Sequence, residues 1–99
     1  MTIEDRRAEI DALDSELLTL LNRRAQLAVK VGESKREAGL SLCDRARERE
    51  VVERACRANS GPLDERAIAR LFRCIILESR LAEERALERV EAHHEVNPR

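Results

Sequence analysis

The sequence predicts an all-α protein: three helices per chain, a long first, a shorter second and a long third, assembled as an intertwined homodimer. Three observations carry that expectation. Helix formers (Ala, Leu, Glu, Arg) dominate a 99-residue chain that holds only three Gly and two Pro. Apolar residues recur at helical spacing along two long stretches. The first stretch covers about 37 residues, which at ~1.5 Å per residue makes a helix of ~55 Å. Such a helix is longer than a compact domain of this size is wide. Helices 2 and 3 of one chain can cover only part of its seam, so a two-fold partner is expected to bury the rest.

Helix 1 is expected from Ile3 to about Gly39. Thr2 followed by Asp5 has capping-box spacing. Ile3, Ile10, Leu13, Leu17, Leu20, Leu27 and Val31 form the apolar seam, and Gly39 suits a C-terminal cap. Ser41 followed by Asp44 is a second capping-box spacing, which starts helix 2 near Leu42 or Cys43 and runs it to Ala58. Val51, Val52 and Ala55 are its inward residues. Asn59, Ser60, Gly61 and Pro62 break the pattern. Asp64 then caps helix 3, whose stripe is Ile68, Leu71, Phe72, Ile75, Ile76, Ala82, Ala86 and Val90. Residues 93–99 read as a polar tail. The chain reads as one domain, 1–99, expected to stand alone.

Composition excludes several function classes. Charged residues make up 39% of the chain, yet the net charge is -1. That balance favours ion-paired helical surfaces over a nucleic-acid footprint. Phe72 is the sole aromatic residue, so base stacking is excluded. No apolar run approaches the ~18–20 residues of a membrane span, and no signal-peptide pattern opens the chain. Cys43, Cys56 and Cys74 are odd in number and lack CxxC spacing, which suits reduced thiols in the cytoplasm. No metal site is expected: His93 and His94 are adjacent in the tail, and no Cys, Asp or Glu set completes a ligand group. Covalent catalysis lacks its motifs, since there is no GxSxG, P-loop or GxGxxG pattern and no Ser–His or Cys–His pair. Any catalysis is therefore expected to work by binding and electrostatics.

Polar residues break the apolar pattern at a few positions. Arg24 falls in seven-residue register with Ile10, Leu17 and Val31, where a buried cation is costly unless an anion meets it. Lys35 lies 11 residues later, about three turns along and only ~20° off the same line. On helix 3, Ser79 follows Ile75 by four residues and Glu83 follows Ser79 by four, so the two polar residues share a face. On helix 2, Asp44 and Glu48 have the same spacing, with Arg47 beside them. Together these residues suit a polar cavity inside a helical bundle that holds a small anion. Taken singly, each has a plainer reading. Asp44 to Glu50 reads equally as a run of surface i,i+4 pairs, Ser79 as a small packing residue, and Arg24 as a cation reaching out of the seam.

Three segments carry a resemblance to a known family. The first is RAEIDALDSELLTLLNRRAQLAVKVGESK, the second DRARERE, and the third IARLFRCIILESRLAEE. In this order and at these spacings, over roughly residues 5–87, the chain resembles the all-helical chorismate mutases. The family converts chorismate to prephenate by an intramolecular Claisen rearrangement, without metal or cofactor. The resemblance implies that Arg7 and Arg24 hold the two substrate carboxylates, with Ser79 helping Arg24. It implies that Lys35 reaches a carboxylate and the ether oxygen, and that Glu83 is the second donor to that oxygen. Glu48, with backbone near Asp44, is implied to hold the ring hydroxyl, and Arg47 to support this polar wall. Many bacterial members carry Gln where this chain has Glu83, so Glu83 is expected to act in its neutral form.

Helix geometry adds that Arg7 lies ~25 Å from Arg24 and ~100° around the helix. It cannot share a pocket with Arg24 and Lys35 of its own chain, so the partner of the homodimer is expected to supply it. Isochorismate pyruvate lyases and 4-amino-4-deoxychorismate mutases share the scaffold and are the nearest rival readings. A non-catalytic helical dimer is the rival from another class.

Overall fold

The structure is a computed structural model that describes residues 1–96. It has three helices: α1 (Ile3–Glu37), α2 (Arg45–Ala58) and α3 (Glu65–Val96). The capping box at α1 forms in full: the Thr2 amide donates to Asp5 at 2.9 Å and the Asp5 amide to the Thr2 hydroxyl at 3.1 Å. These bonds hold the Asp5 carboxyl below its ordinary range, the Thr2 backbone amide contributing most. At the far end Gly39 takes φ 73°. The Leu40 amide bonds back to the Lys35 carbonyl at 2.7 Å and the Gly39 amide to the Arg36 carbonyl at 3.0 Å. This is the left-handed cap that glycine makes at little cost.

Helix 2 begins later than the sequence predicts. Asp44, in an extended conformation, is its N-cap and accepts the Arg47 amide at 3.0 Å. The Ser41 hydroxyl accepts the Cys43 amide at 3.2 Å, a local turn that precedes the helix. Two capping residues compete here, and the carboxylate three residues nearer the helix makes the cap. Asp64 caps α3 as expected, accepting the Ala67 amide at 2.8 Å. Helix α3 continues through His93 and His94 to Val96, where the sequence suggests a frayed tail. Residues 97–99 of that tail lie outside the described residues.

α3 lies between the other two helices, and α1 and α2 do not pack on each other. Arg24 meets Ser79 and Gly32 meets Glu83, so α1 and α3 run in the same direction. Glu48 meets Arg80 and Cys56 meets Glu65, so α2 runs opposite to them. The result is elongated, 64 × 30 × 15 Å, with a radius of gyration of 17.7 Å. A compact chain of this length has about 13 Å. No apolar residue is buried among the described residues. The accessible surface is 8369 Å², against about 5,700 Å² for a compact monomer of this mass. No helix is long and apolar enough to cross a membrane among the described residues.

Candidate active site

One cleft of about 290 Å³ is lined from all three helices. It contains Arg24 and Lys35 from α1, Asp44, Arg47 and Glu48 from the start of α2, and Ser79 and Glu83 from α3. Every predicted site residue except Arg7 is therefore at one place. Arg7 is exposed on the first two turns of α1, away from the cleft of its own chain. A larger open groove of about 970 Å³ lies between the end of α2 and the start of α3, and none of the predicted residues lines it.

The floor of the cleft is a polar contact between α1 and α3. Arg24 Nη1 donates to Ser79 Oγ at 2.9 Å. Ser79 is only 7% exposed, the most buried polar side chain described. A hydroxyl that deep needs a partner, and Arg24 supplies it while its remaining N–H groups are left to meet an anion. Arg24 therefore is held in the seam, and does not snorkel out of it.

Lys35 is positioned by the turn after its own helix. Its ammonium donates to the Leu42 carbonyl at 3.1 Å. That contact uses one of three donors and holds the cation at the cleft wall. Asp44 spends its carboxylate on the cap, which fixes the start of α2 and the placement of Glu48 one turn later. Arg47 lines the cleft but pairs outward with Glu50 at 2.9 Å, and Glu50 also holds Arg54 at 2.6 Å. The plainer reading of surface pairs thus holds for part of this segment.

Glu83 is the most unusual group. Its Oε2 is buried with no hydrogen-bond partner among the described residues. α1 approaches it so closely at Gly32 that a Cβ there would lie 3.2 Å from Glu83 Cγ and 3.3 Å from Oε2. Burial pushes the carboxyl above its ordinary range, with Glu84 adding to the push, and Lys35, Arg80 and Arg24 oppose it. Burial here favours the protonated carboxyl, while the three cations favour the ionised one.

Three contributors were not legible as site residues. Arg80 lines the cleft and donates to Glu48 Oε2 at 3.0 Å. The available signal was its spacing, four residues after Ile76 and three before Glu83, but α3 is crowded with arginines. The Leu42 carbonyl is a backbone group that no side-chain pattern reveals. Gly32 makes room for Glu83, a role visible only when the helices are placed together.

Known proteins resemble this chain in sequence and in fold. Residues 6–95 match the family described as Chorismate mutase type II. The chain is 40% identical over 78 residues to the bifunctional chorismate mutase/prephenate dehydratase of Aquifex aeolicus, covering 75% of this chain and 22% of that one. It thus spans about a fifth of the length of that relative. It is 36% identical over 84 residues to the 4-amino-4-deoxychorismate mutase of Streptomyces venezuelae, covering 84% and 82% of the two chains. Among solved structures, a chorismate mutase (form II) from Thermus thermophilus superposes with a TM-score of 0.82 at 35% identity, over 84% of this chain and 94% of that one.

Proposed function

This chain belongs to the chorismate mutase type II family, and we propose that it converts chorismate to prephenate in the cleft described above, as an intertwined homodimer. The observation that carries the proposal is the arrangement of Arg24 on buried Ser79 with Lys35 and the partly buried Glu83 in the same cleft. Two cations and a carboxyl whose burial favours its protonated form suit a compact dianion with one more oxygen to be met.

The reaction needs nothing else. One C–O bond breaks and one C–C bond forms within the substrate, with no proton or electron gained or lost. Catalysis then consists of holding the flexible dianion in the folded conformer and stabilising negative charge that grows on the ether oxygen. A fixed cation facing that oxygen is worth more in the transition state than in the ground state. In this reading Arg24 and the partner's copy of Arg7 hold the carboxylates, and Lys35 serves a carboxylate and the ether oxygen. Glu83, protonated, is the second donor to that oxygen. Glu48 accepts from the ring hydroxyl beside the Asp44 backbone, and Arg47 closes the polar wall.

The dimer has its own support. The apolar face of the first half of α1 is uncovered, Ile3 being 69% and Leu13 62% exposed. A second copy laid along it covers that face and brings an Arg7 to each cleft. The three free thiols, Cys43, Cys56 and Cys74, suit a cytoplasmic location.

Incubation with chorismate at pH 5 and pH 8, following prephenate, tests the activity. Formation of prephenate, faster at pH 5 per molecule of bound substrate, is the expected result. No prephenate at either pH overturns the proposal. Sedimentation equilibrium is expected to report two chains per particle.

A further inference from the structure

Resting on the reading above, we infer that Arg80 is a specificity-determining positioning residue: by pairing with Glu48 it makes the ring-substituent site accept a hydroxyl and reject an ammonium. The Arg80 guanidinium lies 3.0 Å from Glu48 Oε2, and both side chains are about two-thirds shielded from solvent (29% and 32% exposed). The pair crosses from α3 to α2 at the cleft wall, and both residues line the cleft. The same Arg80 Nη1 also donates to Cys43 Sγ at 3.6 Å, and the Cys43 thiol donates to Glu48 Oε2 at 3.8 Å, so the three groups form one cluster around that oxygen.

Among the described residues no other cation pairs with Glu48. Arg47, its neighbour in sequence, is committed to Glu50 at 2.9 Å. Lys35 donates to the Leu42 carbonyl. The negative charge that meets the ring substituent is therefore already matched from within the chain. Arg80 occupies Oε2 and leaves Oε1 to accept from the substrate.

Two substrates that differ in this one substituent meet that site differently. A hydroxyl is neutral and donates one hydrogen bond, which a paired carboxylate still accepts. An allylic amine is protonated near neutral pH and brings a full positive charge beside the guanidinium. A free carboxylate would welcome it, whereas a neutralised one offers little attraction and a like-charge neighbour. The Streptomyces venezuelae relative, named for the amino substrate, shows that this discrimination is a real choice on the scaffold.

The test compares the wild type, Arg80→Met and Arg80→Lys on chorismate and on 4-amino-4-deoxychorismate. The quantity read is the ratio of the two kcat/KM values on one preparation, which cancels any difference in folded fraction. Arg80→Met is expected to move the ratio toward the amino substrate by about tenfold, chiefly through its KM. Arg80→Lys keeps the charge and is expected to hold the ratio within about twofold of wild type. The same selectivity is read without turnover as a ratio of calorimetric Kd values on a Lys35→Ala background. Equal losses on both substrates, with neither ratio moved, show a purely structural Arg80 and overturn the inference. Failure of the wild type to convert chorismate instead sinks the proposed function on which it rests.

Discussion

The two halves of α1 share one apolar rhythm and have different surroundings. From Ile3 to Leu20 every residue is exposed, the seam residues Ile3, Ile10, Leu13, Leu17 and Leu20 included. From Leu21 onward the helix settles on α3. Arg24, Ala25, Ala28 and Val29 are half-buried there, and Gly32 is buried. The seam pattern does not change at the boundary, and its residues Leu27 and Val31 stay exposed at 56% and 51%; what changes is that α3 covers the neighbouring face, with Arg24 at the edge between the two. Covering what remains exposed of each seam Leu or Ile is worth about 1–2 kcal/mol. In the proposed dimer the first half is therefore an interface segment and the second half a site segment, joined in one rigid element. Arg7, on the first half, then serves a different chain's cleft from the one that Arg24 lines.

The largest effect falls in the second half. Replacing Lys35 by Ala removes the cation assigned to the ether oxygen and is expected to lower kcat on the order of 100–1,000-fold. The fall in kcat should exceed any rise in KM, because the interaction strengthens in the transition state. Steady-state kinetics on chorismate check this. A change confined to KM would reduce Lys35 to a ground-state contact.

Mixing tests the division of labour directly. Arg7→Ala and Arg24→Ala are each expected to be nearly inactive as homodimers. After unfolding together and refolding in equal amounts, half of the dimers carry one chain of each kind. Each such dimer has one intact site and one doubly defective site, so the mixture is expected to recover about a quarter of wild-type activity. Activity no higher than that of the single variants would place Arg7 outside the site.

Next in size is a pH effect at Glu83. Its folded pKa is raised, chiefly by burial. The protonated donor is therefore present at low pH, and activity is expected to fall as pH rises through the raised value. Stability has the same sign: what Glu83 contributes is present below its unfolded pKa and fades as pH passes the folded one. Glu83→Gln keeps the donor at every pH, so this descending limb should disappear from the kcat profile. An unchanged profile in Glu83→Gln would remove Glu83 from the proton-dependent step.

What could be read from sequence divides along the same line as the helix. Local signals were legible: the Thr2 and Asp64 caps and the Gly39 stop each depend on residues within one turn. Arg24 and Lys35 stood out because they violate a periodic apolar pattern. Ser79 and Glu83 stood out because their spacing puts them on the α3 stripe. The sequence places the start of α2 two to three residues early, since Ser41 and Asp44 both carry a capping side chain and only the folded turn decides between them. Arg80 was not legible because its partner Glu48 is 32 residues away, and its meaning lies in that pairing. Gly32 likewise matters only through what α3 places against it.

The smallest effect gives the sharpest comparison of the two halves, because it matches stability and separates function. Thr2 caps the interface end of α1, and Asp44 caps α2 beside the cleft. Loss of either cap to Ala is expected to cost about 1 kcal/mol, which lowers Tm by a few degrees in a chain of this size. Thr2 touches nothing in the cleft, so Thr2→Ala is expected to leave kcat/KM near the wild-type value. Asp44 fixes the first turn of α2, which carries Glu48, and adjoins the Leu42–Cys43 segment whose carbonyl holds Lys35. Asp44→Ala is therefore expected to lower kcat/KM several-fold for a similar change in Tm, through misplacement of both groups. Equal activity in the two variants would mean that the cleft wall keeps its geometry without its cap, and that Lys35 and Glu48 are held from α3 instead.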